Sequence, residues 1–209
     1  MNHLTTLSSA EFAAALASKA SVPGGGGAAA MAGALGVALC SMVGNFTTGK
    51  KKFTAVEEDV QRMLAEGEAL RIRLLELVDA DAEAFEPLSR AYSIPKDDPT
   101  RPQIMEEATL NACRAPVEMV RCCGKALLLL EEMLEKGSKM LISDVGCGAL
   151  LCKAAMESAA LNVFVNTGTL TDREIAARLE QEVDDALCTY LPLADRITAS
   201  VAGYIRKEG

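Results

Sequence analysis

The sequence contains a single histidine, His3, and no tryptophan, and aromatic residues make up 4% of its 209 residues. With the only imidazole at the N-terminus, a Cys–His or Ser–His nucleophile pair has no base to build on. Acid–base chemistry falls to carboxylates and lysines. A core without large rings must be filled by Ala, Leu, Val and Met, which pack well between closely spaced helices. Strand-type runs of Val, Ile, Thr and Tyr are scarce, so composition predicts an all-α fold. A basic excess is also missing: 21 Lys and Arg against 29 Asp and Glu leave a net charge of −8. That sign excludes an ordinary nucleic-acid binder. The seven cysteines form no Cys-x-x-Cys pair, so zinc spacing is absent and no metal is implied. Most lie in apolar helical patterns and read as free thiols buried in a protein of the reducing cytoplasm. Met1 to Thr6 lacks the basic and apolar regions of a signal peptide.

What is present is helical punctuation. The length suits one domain, residues 1–209. Ser8-Ser-Ala-Glu11 is a capping box opening a helix to about Lys19. Pro23 and four glycines interrupt it. From Ala20 to Gly49 there is no charge, and the spacing predicts a helix from about Gly26 to Thr47. The run is rich in Gly, Ala, Ser and Thr and poor in Leu and Phe. A membrane span is therefore disfavoured against a helix buried on all sides. Gly24, Ala28, Ala32, Gly36, Cys40 and Gly44 form a row of small residues four apart. Such a row permits close approach of another backbone, in a dimer seam or within the chain. Lys50-Lys-Lys52 reads as a cationic end to this helix. Further helices are predicted over about Thr54–Ala91, Gln103–Lys136 with a bend at Pro116, and Ser143–Val165. A last one follows a second capping box, Thr171-Asp-Arg-Glu174, and runs to about Arg206 with a kink at Pro192. The expected architecture is a bundle of five or six mostly long antiparallel helices around a buried Gly/Ala-rich helix.

Three segments carry candidate chemistry. Gly24-Gly-Gly-Gly27 at a helix start either holds an anion with backbone N–H groups or merely permits tight turning. No strand precedes it and no Gly-Lys-Ser/Thr follows, so a dinucleotide or P-loop reading fails. Asp79-Ala-Asp81-Ala-Glu83 places acids among small residues, as a solvated face or a catalytic group. Asp144, after Ser143, stands at the mouth of an apolar helix, as an N-cap or an acid–base residue whose pKa burial would move. Asn162 and Asn166, four apart, suit either core hydrogen bonding or a heterocycle's polar edge.

Taken in order, several stretches resemble the formiminotetrahydrofolate cyclodeaminase/methenyltetrahydrofolate cyclohydrolase family. They are Pro23-Gly-Gly-Gly-Gly27 with Ala32-Gly-Ala-Leu-Gly36, Met42 to Phe53, Asp79 to Phe85, Ile94-Pro-Lys96, Ser143-Asp-Val-Gly146, and Asn162 to Asn166 with Thr171-Asp172. Lys136-Gly-Ser-Lys-Met140 departs from the Gly-Asn pair common in that family. The resemblance implies an all-helical homodimer acting on a tetrahydrofolate, polyglutamylated in some cases, with no other cofactor. It implies Asp144 and Asp81 as the catalytic pair. Pro23, Gly24, Gly25, Gly26, Asn45, Lys50, Lys51, Ser143, Asn162 and Asn166 are the implied substrate-binding residues. Cyclohydrolase is the preferred activity; a cyclodeaminase, or an inactive folate-binding or scaffold protein, is the alternative.

Overall fold

A computed structural model describes residues 3–207. The helices are α1 (Ser9–Leu16), α2 (Gly25–Asn45), α3 (Glu57–Ala91), α4 (Arg101–Ala112), α5 (Arg114–Lys136), α6 (Ile142–Thr167) and α7 (Arg173–Arg206). Short 3-10 turns occupy Leu4–Thr6, Lys51–Val56 and Lys139–Leu141, and the described residues contain no strand. The all-α bundle expected from composition is the observed one.

The charge-free α2 is the central element, packed on α3, α5 and α6. Its small residues explain how. A Cβ placed on Gly36 would lie 2.9 Å from the carbonyl oxygen of Gly148, and one on Gly148 equally close to that of Gly36. The two backbones therefore touch, and the small-residue row serves a crossing inside the chain. Gly25 meets Asn162 while Gly36 meets Gly148 and Cys152, so α2 and α6 run antiparallel. Both are long and apolar enough to cross a membrane, but much of their apolar surface is buried inside the bundle.

The capping box at α1 is reciprocal: Glu11 N–H donates to Ser8 Oγ at 3.3 Å, and Ser8 N–H to Glu11 Oε2 at 2.8 Å. Four expectations are corrected. The helix placed at Gln103–Lys136 is two helices broken at Cys113. Pro116 has no N–H for the carbonyl of Ala112, and its ring crowds that carbonyl, so the chain breaks one turn before the proline. At α7 the cap is Asp172, which accepts from the N–H groups of Glu174 and Ile175 at 3.0 Å. Thr171 is drawn away, its hydroxyl and N–H both donating to Glu106 of α4. Lys50 to Lys52 do not end α2, which stops at Asn45 with Phe46 to Gly49 in between. Neither Ser143 nor Asp144 is an N-cap: Leu141 holds that place without a side-chain bond, and both residues sit in the first turn of α6.

Candidate active site

The buried face of α3 passes through Leu74, Leu77 and Val78. Asp81, three residues beyond Val78, continues that face, so its carboxylate is carried inward while Glu83 remains in solvent. The start of α2 lies directly over it. The N-cap residue of α2 is Gly24, which has no side chain to satisfy the first N–H groups of the helix. Asp81 supplies an acceptor from the neighbouring helix, taking the N–H of Gly27. A Cβ on Gly26 would lie 2.5 Å from Asp81 Oδ2 and 2.6 Å from Cγ, so only glycine leaves room for the carboxylate. Loss of water around the buried group pushes its pKa up to about 6, with the Gly27 hydrogen bond pulling the other way. The outcome is a carboxyl group poised between its two protonation states near neutral pH.

The glycine turn and the asparagines gather at this end. Pro23 is buried against the position of Gly27. The amide of Asn162 faces Gly25, with Nδ2 donating to Ser158 O at 2.8 Å. Asn166 Nδ2 donates to the carbonyl of Ala112 at 3.3 Å. This is the carbonyl that Pro116 leaves without a partner, so one donor of Asn166 holds the α4–α5 break to α6.

Asn45, Lys50, Lys51, Ser143 and Asp144 lie elsewhere. Asn45 is the exposed last residue of α2, and Lys50 Nζ stands 5.7 Å above the Phe46 ring. The Ser138 N–H donates to Thr47 Oγ1 at 2.9 Å in a buried contact, tying the turn before α6 to the end of α2. Asp144 is therefore half-buried at this second end. Because α6 spans both ends, the 18 residues from Asp144 to Asn162 separate the two groups by about 27 Å at 1.5 Å per residue. One chain brings Asp81 together with Pro23, Gly24, Gly25, Gly26, Asn162 and Asn166, and keeps Asp144 apart from them.

Gly27, the residue whose N–H meets Asp81, was missing from the sequence-based candidates; the glycine run carried that signal only as a group. Asp79, two residues before Asp81, has a different task. It accepts from Leu4 N–H at 2.6 Å and from Thr5 Oγ1 at 3.0 Å, with His3 Nδ1 at 3.1 Å, and so holds the N-terminal segment. Five cysteines are buried and two, Cys147 and Cys188, are exposed. Desolvation pushes the Cys40 and Cys123 thiols up to about 12 and Cys113 to about 11, which keeps them protonated and unreactive.

Comparison with known proteins places this geometry. The family model described as Formiminotransferase-cyclodeaminase matches residues 8–185. A methenyltetrahydrofolate cyclohydrolase from Methylorubrum extorquens is 41% identical over 194 residues, covering 91% of this chain and 93% of that protein. The formimidoyltransferase-cyclodeaminase of Sus scrofa is 30% identical over 180 residues, covering 84% of this chain but 33% of that longer protein. The crystal structure of formiminotetrahydrofolate cyclodeaminase from Thermotoga maritima superposes with a TM-score of 0.88 at 29% identity, over 95% of this chain and 98% of that one. With the match spanning the glycine turn, Asp81, Asp144 and both asparagines, the chain belongs to the formiminotransferase-cyclodeaminase family.

Proposed function

We propose that this protein hydrolyses 5,10-methenyltetrahydrofolate to 10-formyltetrahydrofolate, as a cytoplasmic homodimer with no cofactor beyond the folate itself. The observation that carries the reading is Asp81, a carboxyl group with a pKa near 6 seated on a glycine turn. A general base is most effective with its pKa near the working pH. The 41% identical relative named a cyclohydrolase, matched over nearly its full length, favours hydrolysis. In the proposed step, water adds to the cationic methenyl carbon and gives its proton to Asp81. The C–N5 bond then breaks: the added hydroxyl gives its proton to Asp144 and becomes the formyl carbonyl, N5 takes the proton held by Asp81, and the formyl group stays on N10. Asp144 is the second acid–base residue, and the negative charge at the site favours the cationic substrate. Pro23 and Gly24 to Gly26 form the pterin wall, Asn162 and Asn166 bond the heterocycle's edge, with Ser143 and Asn45 alongside Asp144. Lys50 and Lys51 draw in the glutamate tail.

Two observations support the dimer. Asn162, which faces the glycine turn seated over Asp81, lies about 27 Å along α6 from Asp144, so Asp81 and Asp144 of one chain are too far apart to serve one carbon atom. In addition, α6 turns Ser143, Cys147, Leu150, Ala154, Leu161 and Val165 outward at helical spacing, with Glu157 the one charge among them. Leu150, Leu161 and Val165 are 55%, 68% and 66% exposed, beside Leu35 of α2 at 54%. An apolar stripe of that spacing suits a helix–helix seam. In a two-fold antiparallel pairing centred on Ala154, Asp144 faces the end of the partner's α6 that carries Asn162 and Asn166. Each of two sites then combines Asp81 of one chain with Asp144 of the other.

The ultraviolet band of methenyltetrahydrofolate tests the activity. Enzyme should abolish the band by hydrolysis; no loss sinks the hydrolase reading. The cyclodeaminase reading, favoured by the fold match to the Thermotoga maritima protein, requires the band to appear from 5-formiminotetrahydrofolate with release of ammonia. Saturable folate binding without turnover would identify an inactive binder. For the shared site, co-expression of Asp81→Asn with Asp144→Asn should restore about a quarter of wild-type activity, because half the dimers are mixed and each has one intact site. Absence of any recovery in mixed dimers refutes it.

A further inference from the structure

A cavity of about 260 Å³ lies between the segment leading into α2 and the last third of α3, walled by Ser21, Val22, Ala82, Phe85, Glu86, Ser89 and Arg90. We propose that it is the subsite for the p-aminobenzoylglutamate arm of the substrate, with the aryl ring between Phe85 and Val22 and the glutamate α-carboxylate on Arg90. The proposal rests on the folate reading above and names which residues set affinity for one part of the substrate.

Position is the first argument. Ala82 and Phe85 follow Asp81 by one and four residues, so Phe85 stands one helical turn along from the carboxylate. Ser21 and Val22 immediately precede Pro23 and the glycine turn. The cavity thus begins where the candidate chemistry ends.

Size and chemistry agree. Pockets that enclose a whole drug-sized ligand run to roughly 300–1,000 Å³, so this one takes a single arm of a larger molecule. Val22, Ala82 and Phe85 give it an apolar part, and Phe85 packs against the buried cluster of Leu88, Ala108 and Ala112. A ring braced in this way can stack on a second ring without losing side-chain freedom. At the mouth, Arg90 pairs with Glu86 one turn away, and its side chain is 73% exposed. An exposed pair of this kind contributes little, so a substrate carboxylate, which accepts two parallel N–H bonds, displaces Glu86 at small cost. The larger groove of about 500 Å³ lined by Arg62, Leu70, Lys125, Leu129 and Glu132 lies along α3 and α5, well before Asp81 in the chain. Its arginine is already bound to Glu132 and Glu66.

The test uses the full-length protein and two readouts. One is calorimetric binding of p-aminobenzoylglutamate alone; the other is steady-state turnover of methenyltetrahydrofolate. Phe85→Leu, which keeps an apolar side chain behind the ring's place, and Arg90→Gln should each weaken fragment binding and raise KM about tenfold. In both, kcat should stay within about twofold of wild type, because neither residue touches the reacting carbon. Arg90→Lys should recover part of the loss. Ser89→Phe, which fills the cavity, should abolish fragment binding. Fragment affinity and KM unchanged in Phe85→Leu and Arg90→Gln overturn the subsite even with an active enzyme. If the wild type turns over neither folate while fragment binding still falls in the variants, the proposed reaction fails and the cavity stands as a site for an aryl amide bearing a carboxylate.

Discussion

Replacing Asp81 by Asn separates the cost of burying a carboxylate from its chemical use. The wild-type group rises from its ordinary 3.8 to about 6 through burial, and a shift of that size corresponds to about 3 kcal/mol favouring the protonated form. The sign follows from linkage. Below the unfolded pKa the group is protonated in both states and costs nothing. As pH rises toward the folded pKa, the unfolded chain ionises first and native stability falls. Above about pH 6–7 the penalty is complete. Asn keeps an oxygen for the Gly27 N–H and carries no charge, so the variant escapes the loss. For a chain of 209 residues, at about 2–4 °C per kcal/mol, the variant should melt roughly 6–12 °C above wild type at pH 8 and only about 1–2 °C above it at pH 4. Thermal scans across that range, monitored by circular dichroism, give the comparison. Folate turnover should fall at least about a hundredfold at the same time. A Tm difference that is the same at pH 4 and pH 8, or a less stable variant at pH 8, refutes the burial argument. Undiminished turnover refutes the catalytic one.

Other consequences are more local. If Asp81 is the base, wild-type kcat/KM should decline below about pH 6, and a flat profile from pH 5 to 8 would contradict that role. Gly26→Ala places a methyl group where the Asp81 carboxylate now sits; displacing it by about 1 Å should cost roughly a hundredfold in kcat while the helical circular dichroism signal is preserved. Asp144→Asn should lower kcat by at least about a hundredfold with little change in Tm, since the side chain is only half-buried in the first turn of α6. Asn166→Ala strands the Ala112 carbonyl and should cost about 1–3 kcal/mol in urea unfolding. Gly148→Val drives a side chain into the Gly36 backbone and should destabilise by at least about 1–3 kcal/mol.

Much of the fold could be read from local pattern. The Ser8–Glu11 box, the break at Pro23 and the apolar period of α3 are decided by residues within one or two turns of one another, and each appears where expected. Errors fell where a distant group intervened or where the size of a local effect was misjudged. Thr171 lost the α7 cap to Asp172 because Glu106 of α4 holds it. Pro116 broke a helix that a bend was expected to continue, and the freed carbonyl found Asn166 on α6. The site divides in the same way. The glycine turn and Asp81 were both singled out as candidates, but nothing near Asp81 in the chain says that α2 begins above it. The helical phase from Leu74, Leu77 and Val78 would have distinguished it from Asp79 and Glu83.

Sequence by itself determined the class of the protein: an all-helical bundle with a charge-free central helix, carboxylates and lysines as its acid–base candidates, and motifs in the order of one family. Those properties follow from composition and short-range spacing. Tertiary structure alone decided that Gly36 and Gly148 are the crossing point, that Gly26 must lack a side chain because Asp81 occupies its place, and that the Asp81 pKa moves toward neutrality. It also decided that Asp144 lies at the far end of α6. The reason is physical: close approach, desolvation and the separation of two carboxylates depend on which distant surfaces meet, and local pattern does not encode that.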